Sequence, residues 1–192
     1  MNGRRRTRRF LIYLASDGVP SLIAIAILRA LAPLITALIT SGKVGSNIGA
    51  EIGSMKVTEQ IDAMEVSASN PFKFLVVTRV IATTLMLPVL MLYTGFIALM
   101  GGYINIHFNE MTSFASFFEK AFERITFLDL FSSLIKSLFF GFTIGIVSCY
   151  KGYTTSQGTR GVGIAANGSV VMSMFLIFVE EIVAVQITGA FR

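Results

Sequence analysis

A polar stretch at residues 41–71 interrupts a chain that is otherwise mostly apolar, and it constrains the fold more than any other feature. Its first half places Gly45, Gly49 and Gly53 four residues apart. On a helix this spacing puts all three on one face, where a second helix backbone can approach closely. Because Gly is costly inside a helix, three glycines in phase predict a helix-packing surface.

The second half of the stretch has a different phase. Its apolar stripe, formed by Val57, Ile61 and Met64, does not continue the stripe that precedes it. We therefore predict a break near Lys56, followed by a short amphipathic helix with Thr58 as its N-cap. A helix of this kind between two membrane spans is the form that a docking element takes, and the alternative is an ordinary loop.

Asn70 and Pro71 then predict the start of the next helix, as its N-cap and first residue. Pro suits the first helical position because its missing N–H would have no intrahelical partner there.

Composition places the chain in a membrane. Of its 192 residues, 54% are hydrophobic and 14% are charged, whereas soluble domains carry about 25% charged residues. Four segments are long and apolar enough to cross a bilayer, which takes about 20 helical residues. We predict an all-α integral membrane protein with spans at about residues 19–40, 74–104, 130–150 and 170–188.

Basic residues predict the orientation of these spans. Residues 41–79 and 151–160 hold six Lys and Arg, whereas residues 105–129 hold two. The positive-inside rule therefore places residues 41–71 in the cytoplasm. Residues 105–129 then face the other side, where their phenylalanines predict short interfacial helices.

The sequence lacks the residues and motifs that several function classes require. A single histidine and a single cysteine argue against a catalytic constellation or a metal cluster. The net charge of +5 is supplied by five arginines at the N-terminus, so no nucleic-acid-binding face is expected. No phosphate-binding loop motif is present. We therefore expect a non-enzymatic chain with no cofactor of its own.

The stretch and its flanks carry a family pattern. The matching pieces are Gly42-Lys43, Gly45-Ser46, Ala50-Glu51, Gly53-Ser54-Met55-Lys56, Val57-Thr58-Glu59-Gln60-Ile61-Asp62-Ala63, Leu87-Pro88 and Gly161-Val162-Gly163. This pattern resembles the MlaE-type permeases, the membrane subunits of ABC systems that move phospholipids between bacterial membranes. The likeness covers about residues 18–189.

The resemblance implies a specific architecture and set of partners. It implies a homodimer in the bacterial inner membrane, a separate ABC ATPase that holds ATP and magnesium, a periplasmic MCE-domain protein and a phospholipid cargo. It also implies that the short helix couples the permease to the ATPase. The residues assigned to this coupling are Glu51, Met55, Lys56, Thr58, Glu59, Gln60, Ile61, Asp62 and Met64.

Charged residues within the spans are candidates for lipid binding, because such charges are costly and usually functional or paired. Arg29 lies in the first span, where the family usually has an acidic residue next to the arginine, and here Ala30 follows it. An anionic head group, or Glu180 or Glu181 in the last span, can pair with Arg29; a purely structural ion pair is the alternative. Lys136 is expected to snorkel towards a membrane surface.

The N-terminus departs from the family. We expect residues 1–18 to be a basic extension outside the fold and residues 19–192 to form the permease domain. The family usually has five spans, so the resemblance implies that an interfacial helix and one span are missing. We expect a fragment or a mis-started product, and the alternative is a short variant whose Arg-rich end has another role. The competing interpretations are a truncated permease without activity, a secondary transporter and a lipid-modifying enzyme, the last disfavoured by the single histidine.

Overall fold

A computed structural model describes residues 21–110, 113–123, 125–156 and 158–190, and within these ranges the chain is helical, with turns and no strand. We number the helices in chain order. They are α1 (Ser21–Val57), α2 (Gln60–Val66), α3 (a π-helical turn Phe72–Val77 that continues as Thr78–Glu110), α4 (Phe114–Glu123), α5 (Phe127–Tyr153) and α6 (Thr159–Ala190).

Four of these helices, α1, α3, α5 and α6, are long and apolar enough to cross a membrane. The shortest apolar stretch among them has 27 residues, and at about 1.5 Å per residue it spans about 40 Å, more than the ~30 Å of the hydrocarbon core. The prediction of four membrane-spanning helices is confirmed. Helices α3, α5 and α6 extend beyond both predicted ends, and α1 continues beyond residue 40. Apolar side chains along their outer faces, such as Leu85, Val89 and Phe175, are exposed, as lipid contact requires.

Helix α1 does not end at residue 40 but runs to Val57. Two π-helical turns, Ile27–Leu31 and Ser41–Gly45, lie within it, and in the second the Ser46 N–H donates to the Ser41 carbonyl five residues back. The first turn ends two residues before Pro33, which cannot donate a backbone hydrogen bond. A locally wider turn is a common way to continue a helix past such a position.

The helices form two compact units. The first comprises residues 21–32 and 92–133. In it the Ser133 hydroxyl donates to the Leu28 carbonyl at 2.8 Å. Helix α4 buries Phe117 and Ala121, and Tyr103 contacts Phe114 edge to face at 5.2 Å between ring centroids. Of the short helices expected in residues 105–129, the described residues contain one, α4, and its position at a membrane surface stays a prediction.

The second unit comprises residues 33–91 and 134–190. Two groups of buried side chains form its core. The first group, which we call the Ile144 cluster, consists of Ala37, Leu87, Phe140, Ile144 and Ile177. The second group, the Ile61 cluster, consists of Ile48, Ile52, Ile61, Leu75 and Cys149. The Ile61 cluster joins α1, α2, α3 and α5, so it fixes the short helix α2 against three long ones.

The expectations for residues 1–18 and for the five N-terminal arginines lie outside the described residues.

Candidate functional site

The break between α1 and α2 lies at Thr58 and Glu59, two residues after the predicted position. Thr58 does not cap α2, as the sequence suggested. Its backbone N–H and its hydroxyl both bond to the Ser54 carbonyl, at 3.0 and 2.9 Å, so Thr58 closes α1 instead. The N-cap prediction is wrong because a threonine hydroxyl can also reach back to the carbonyl four residues earlier.

Glu59 makes the turn itself. It has a φ of 59° in the left-handed region, and it is one of two described non-glycine residues with positive φ. For a residue with a Cβ this conformation costs about 1–2 kcal/mol. Strained backbone of this kind concentrates at functional sites, and here it lies within the segment predicted to couple the permease to an ATPase.

An ion pair spans the break. The Lys56 ammonium lies 2.8 Å from the Asp62 carboxylate, and the two side chains are 34% and 53% exposed. A pair this exposed adds little stability, because water screens the attraction between the two charges. Its effect is geometric, because it links the last turn of α1 to the first turn of α2.

A buried side chain anchors α2. Ile61 is fully buried in the Ile61 cluster, and Met55, Met64 and Tyr153 are partly buried against it. Burial of an isoleucine side chain stabilises by about 1.5–3 kcal/mol. Ile61 therefore holds α2 in place, and Met55 and Met64 pack against the same cluster.

The polar side of α2 remains available to a partner. Glu59, Gln60 and Asp62 are exposed there, together with Thr58. A second ion pair lies nearby: the Arg79 guanidinium of α3 lies 2.7 Å from the Glu51 carboxylate of α1. The coupling residues predicted from the sequence thus divide into anchors, linkers and an exposed polar face.

The end of α2 is closed by a Schellman motif. The Ser69 N–H donates to the Met64 carbonyl and the Ala68 N–H to the Glu65 carbonyl, each at 3.1 Å. Ala68 has a φ of 57°, at a position where Gly is usual.

The predicted cap of α3 is confirmed. The Asn70 Oδ1 accepts a hydrogen bond from the Lys73 backbone N–H at 3.1 Å, and Pro71 occupies the first helical position. Residues 67–70 are therefore a short connection with defined hydrogen bonds.

The glycine file on α1 lies close to atoms of neighbouring segments. A Cβ placed on Gly45 would lie 3.0 Å from the Ser148 Oγ of α5, and one on Gly53 would lie 2.8 Å from the Thr155 Oγ1. At Gly49 it would collide with the Ser169 Oγ of α6. A larger residue at any of these positions would require the neighbouring atoms to shift, so the glycines allow close helix approach.

Sequence reasoning missed matching files of small residues on the facing helices. On α6 the buried residues that recur every four positions are Gly161, Ala165, Ser169 and Ser173. On α5 they are Ser137, Gly141, Gly145 and Cys149. A Cβ on Gly141 would lie 2.6 Å from the Thr83 carbonyl of α3. The sequences of α5 and α6 contain the same four-residue period that predicts the file on α1, so this signal could have identified them.

The charged residues inside the long helices include a buried pair. The Lys136 ammonium lies 2.7 Å from the Glu181 carboxylate, and the two side chains are only 6% and 12% exposed. The expectation that Lys136 snorkels is wrong, because a partner 45 residues away in sequence satisfies its charge within the protein. The Thr143 hydroxyl donates to the Glu180 carboxylate, and Arg29 is half-buried in the first π-helical turn of α1.

Within the described ranges no three His, Cys, Asp or Glu side chains come together as a metal site requires.

These features define a class. A chain whose described part contains four apolar helices of membrane-spanning length, with a short anchored polar helix between the first two, is a multi-pass membrane protein. The model of the family described as "Permease MlaE" matches residues 7–187. The chain therefore belongs to the MlaE permease family.

Curated relatives agree with this assignment. A probable ABC transporter permease protein of Rickettsia typhi is 37% identical over 87% of this chain and 64% of its own length. One from Rickettsia prowazekii is 39% identical over 87% of this chain and 64% of its own. One from Synechocystis is 39% identical over 91% and 66%. The chain thus spans a little under two thirds of the length of these relatives.

Proposed function

We propose that this chain is the membrane permease subunit of an ABC transporter that moves phospholipid between the bacterial inner membrane and a periplasmic MCE-domain protein. The observation that carries the proposal is the construction of α2, a short helix with one fully buried residue, Ile61, and an exposed polar face. The names of the relatives, probable ABC transporter permease proteins, support the transport class.

In this proposal α2 docks on a separate ATPase subunit, which binds ATP and magnesium. Glu59, Gln60 and Asp62 contact the ATPase, because they are the exposed polar residues at the start of α2. Movement of the ATPase reaches α1 through two links that cross the break, the Lys56–Asp62 ion pair and the packing of Ile61 on Ile52.

In this proposal the small-residue files allow α1 to slide against its neighbouring helices. Side chains that interdigitate resist sliding, whereas the contacts of Gly45, Gly49 and Gly53 with α5 and α6 contain few interlocking atoms. Displacement of α1 along these files would change a cavity that two copies of the permease enclose.

We further propose that Arg29, Glu180 and Glu181 act on the phospholipid. Arg29 carries a positive charge in a span, where an anionic head group is a natural partner. Glu181 is already paired with Lys136, and its contribution is to keep that lysine in place. Arg29 is therefore the first candidate for contact with the head group.

The test separates docking from folding. In the Glu59→Lys/Asp62→Lys variant, charge reversal on the exposed face of α2 should leave the permease folded but stop lipid movement while the ATPase continues to hydrolyse ATP. The matched control is Glu119→Lys/Glu123→Lys, which reverses two exposed carboxylates on α4. ATPase and lipid-transfer rates in proteoliposomes are measured for both.

Wild-type coupling in the α2 variant would contradict the docking assignment. Dependence of lipid movement on an ion gradient instead of ATP would favour a secondary transporter.

A further inference from the structure

A cavity of about 540 Å³ lies where α2 ends and α3 begins. Its lining residues are Met64, Ser69, Asn70, Lys73, Phe74 and Thr78. None of them takes part in the ion pairs that brace α2, and only Met64 belongs to the predicted coupling set.

Three of the lining residues, Ser69, Asn70 and Lys73, carry hydrogen-bond donors. Lys73 contributes an ammonium group, which has no acidic partner among the residues that the structure describes. Asn70 uses its Oδ1 to accept the Lys73 backbone N–H, which leaves its NH₂ group as a donor. Ser69 adds a hydroxyl. The cavity thus combines a positive charge with neutral donors, the combination that binds a phosphate group.

Apolar side chains also line the cavity, and exposed apolar residues follow them along α3. Phe74 lines the cavity and is 66% exposed, and Phe72 beside it is 60% exposed. Further along α3, Ile81 and Leu85 are exposed on its outer surface. The apolar exposed surface of α3 therefore begins in its first turn, so Lys73 and the cavity lie at the membrane boundary.

From this arrangement we propose that the cavity binds the head group of an anionic phospholipid of the cytoplasmic leaflet. The phosphate oxygens accept hydrogen bonds from Lys73, Asn70 and Ser69, and an acyl chain lies along Phe74. The sidedness follows from the excess of Lys and Arg in residues 41–79. The lipid is a fixed ligand next to α2 rather than cargo, and the proposal does not depend on transport or on an ATPase.

A lipid bound in this cavity would contact residues that determine the position of α2. The cavity includes Met64, which packs on the Ile61 cluster, and Ser69, which closes the Schellman motif at the end of α2. A lipid bound there therefore steadies the connection between α2 and α3 and makes the position of α2 sensitive to the lipid composition of its leaflet.

The experiment measures lipid binding to the purified chain by native mass spectrometry from nanodiscs containing phosphatidylglycerol and phosphatidylcholine in equal amounts. The wild type should retain phosphatidylglycerol preferentially. Lys73→Gln should lower this preference about fivefold, the effect of removing one basic residue near an anionic membrane surface. Lys73→Arg keeps the charge and should retain the preference.

The matched control is Lys43→Gln, which removes an exposed lysine of α1 that does not line the cavity. It should bind phosphatidylglycerol as the wild type does. Equal losses in Lys43→Gln and Lys73→Gln would overturn the proposal, because the preference would then reflect overall charge. Displacement of the lipid by millimolar inorganic phosphate would also overturn it, since the site would then take free phosphate rather than a lipid.

Discussion

Replacement of Gly49 by alanine tests the close packing of α1 against α6. A Cβ at this position meets the Ser169 side chain, with the Ser169 Cβ and the Ala165 carbonyl both 3.2 Å away. The nearest atoms include backbone, so the clash cannot be relieved by rotating one side chain. Overpacking of this kind costs about 1–3 kcal/mol. For a chain of this size, a cost of about 2 kcal/mol lowers Tm by about 4–8 °C.

The control is Gly101→Ala on α3, where a Cβ would meet nothing within 4 Å. Alanine is the better helix former, so this change should stabilise by about 0.5–1 kcal/mol. The two glycine-to-alanine changes are therefore expected to shift Tm in opposite directions. Thermal unfolding of both variants in the same detergent measures the difference.

A second variant distinguishes the contact from a general loss of stability. Ser169→Gly removes the hydroxyl and the Cβ that the new methyl group would meet. Gly49→Ala/Ser169→Gly should therefore be more stable than the sum of the two single changes predicts, as coupled neighbours in a double-mutant cycle are. Additive effects, or a Gly49→Ala protein as stable as the Gly101→Ala protein, would refute the packing argument.

Two further predictions concern stability and can be checked by the same thermal measurements. Ala68→Gly should stabilise by about 1 kcal/mol, because glycine adopts the left-handed conformation of the Schellman position without the steric cost that alanine bears; a loss of stability would contradict this. Lys136→Met should destabilise by about 3–5 kcal/mol by leaving Glu181 buried without its cation, whereas Lys136→Met/Glu181→Leu should recover most of that loss. A double variant as unstable as the single one would show that the charge pair is not the reason.

Local patterns in the sequence predicted local structure well. The cap at Asn70 and the glycine file on α1 depend on residues within one or two helical turns of each other. The four spans followed from apolar length alone. The break after α1 was also readable, because the apolar stripe changes phase there.

The errors arose where the outcome depends on distant residues or on competing local bonds. Lys136 looked like a snorkelling residue because its partner, Glu181, lies on another helix and no local pattern connects them. Threonine is a residue type that is common at N-caps, and only the structure shows that the Thr58 hydroxyl donates a hydrogen bond to the Ser54 carbonyl. The left-handed turn at Glu59 could not be predicted from the sequence, because glycine is the usual residue in this conformation and the chain has glutamate there.

Contact between the exposed face of α2 and an ATPase is tested most directly by placing a photoreactive amino acid at Gln60, which is exposed on α2, and irradiating native membranes. The same amino acid at Glu119 of α4 serves as the control. Mass spectrometry of the adducts should identify an ABC ATPase subunit joined to the chain from position 60 and none from position 119. Adducts that lack an ATPase from position 60, or ATPase adducts in equal amounts from both positions, would contradict the account.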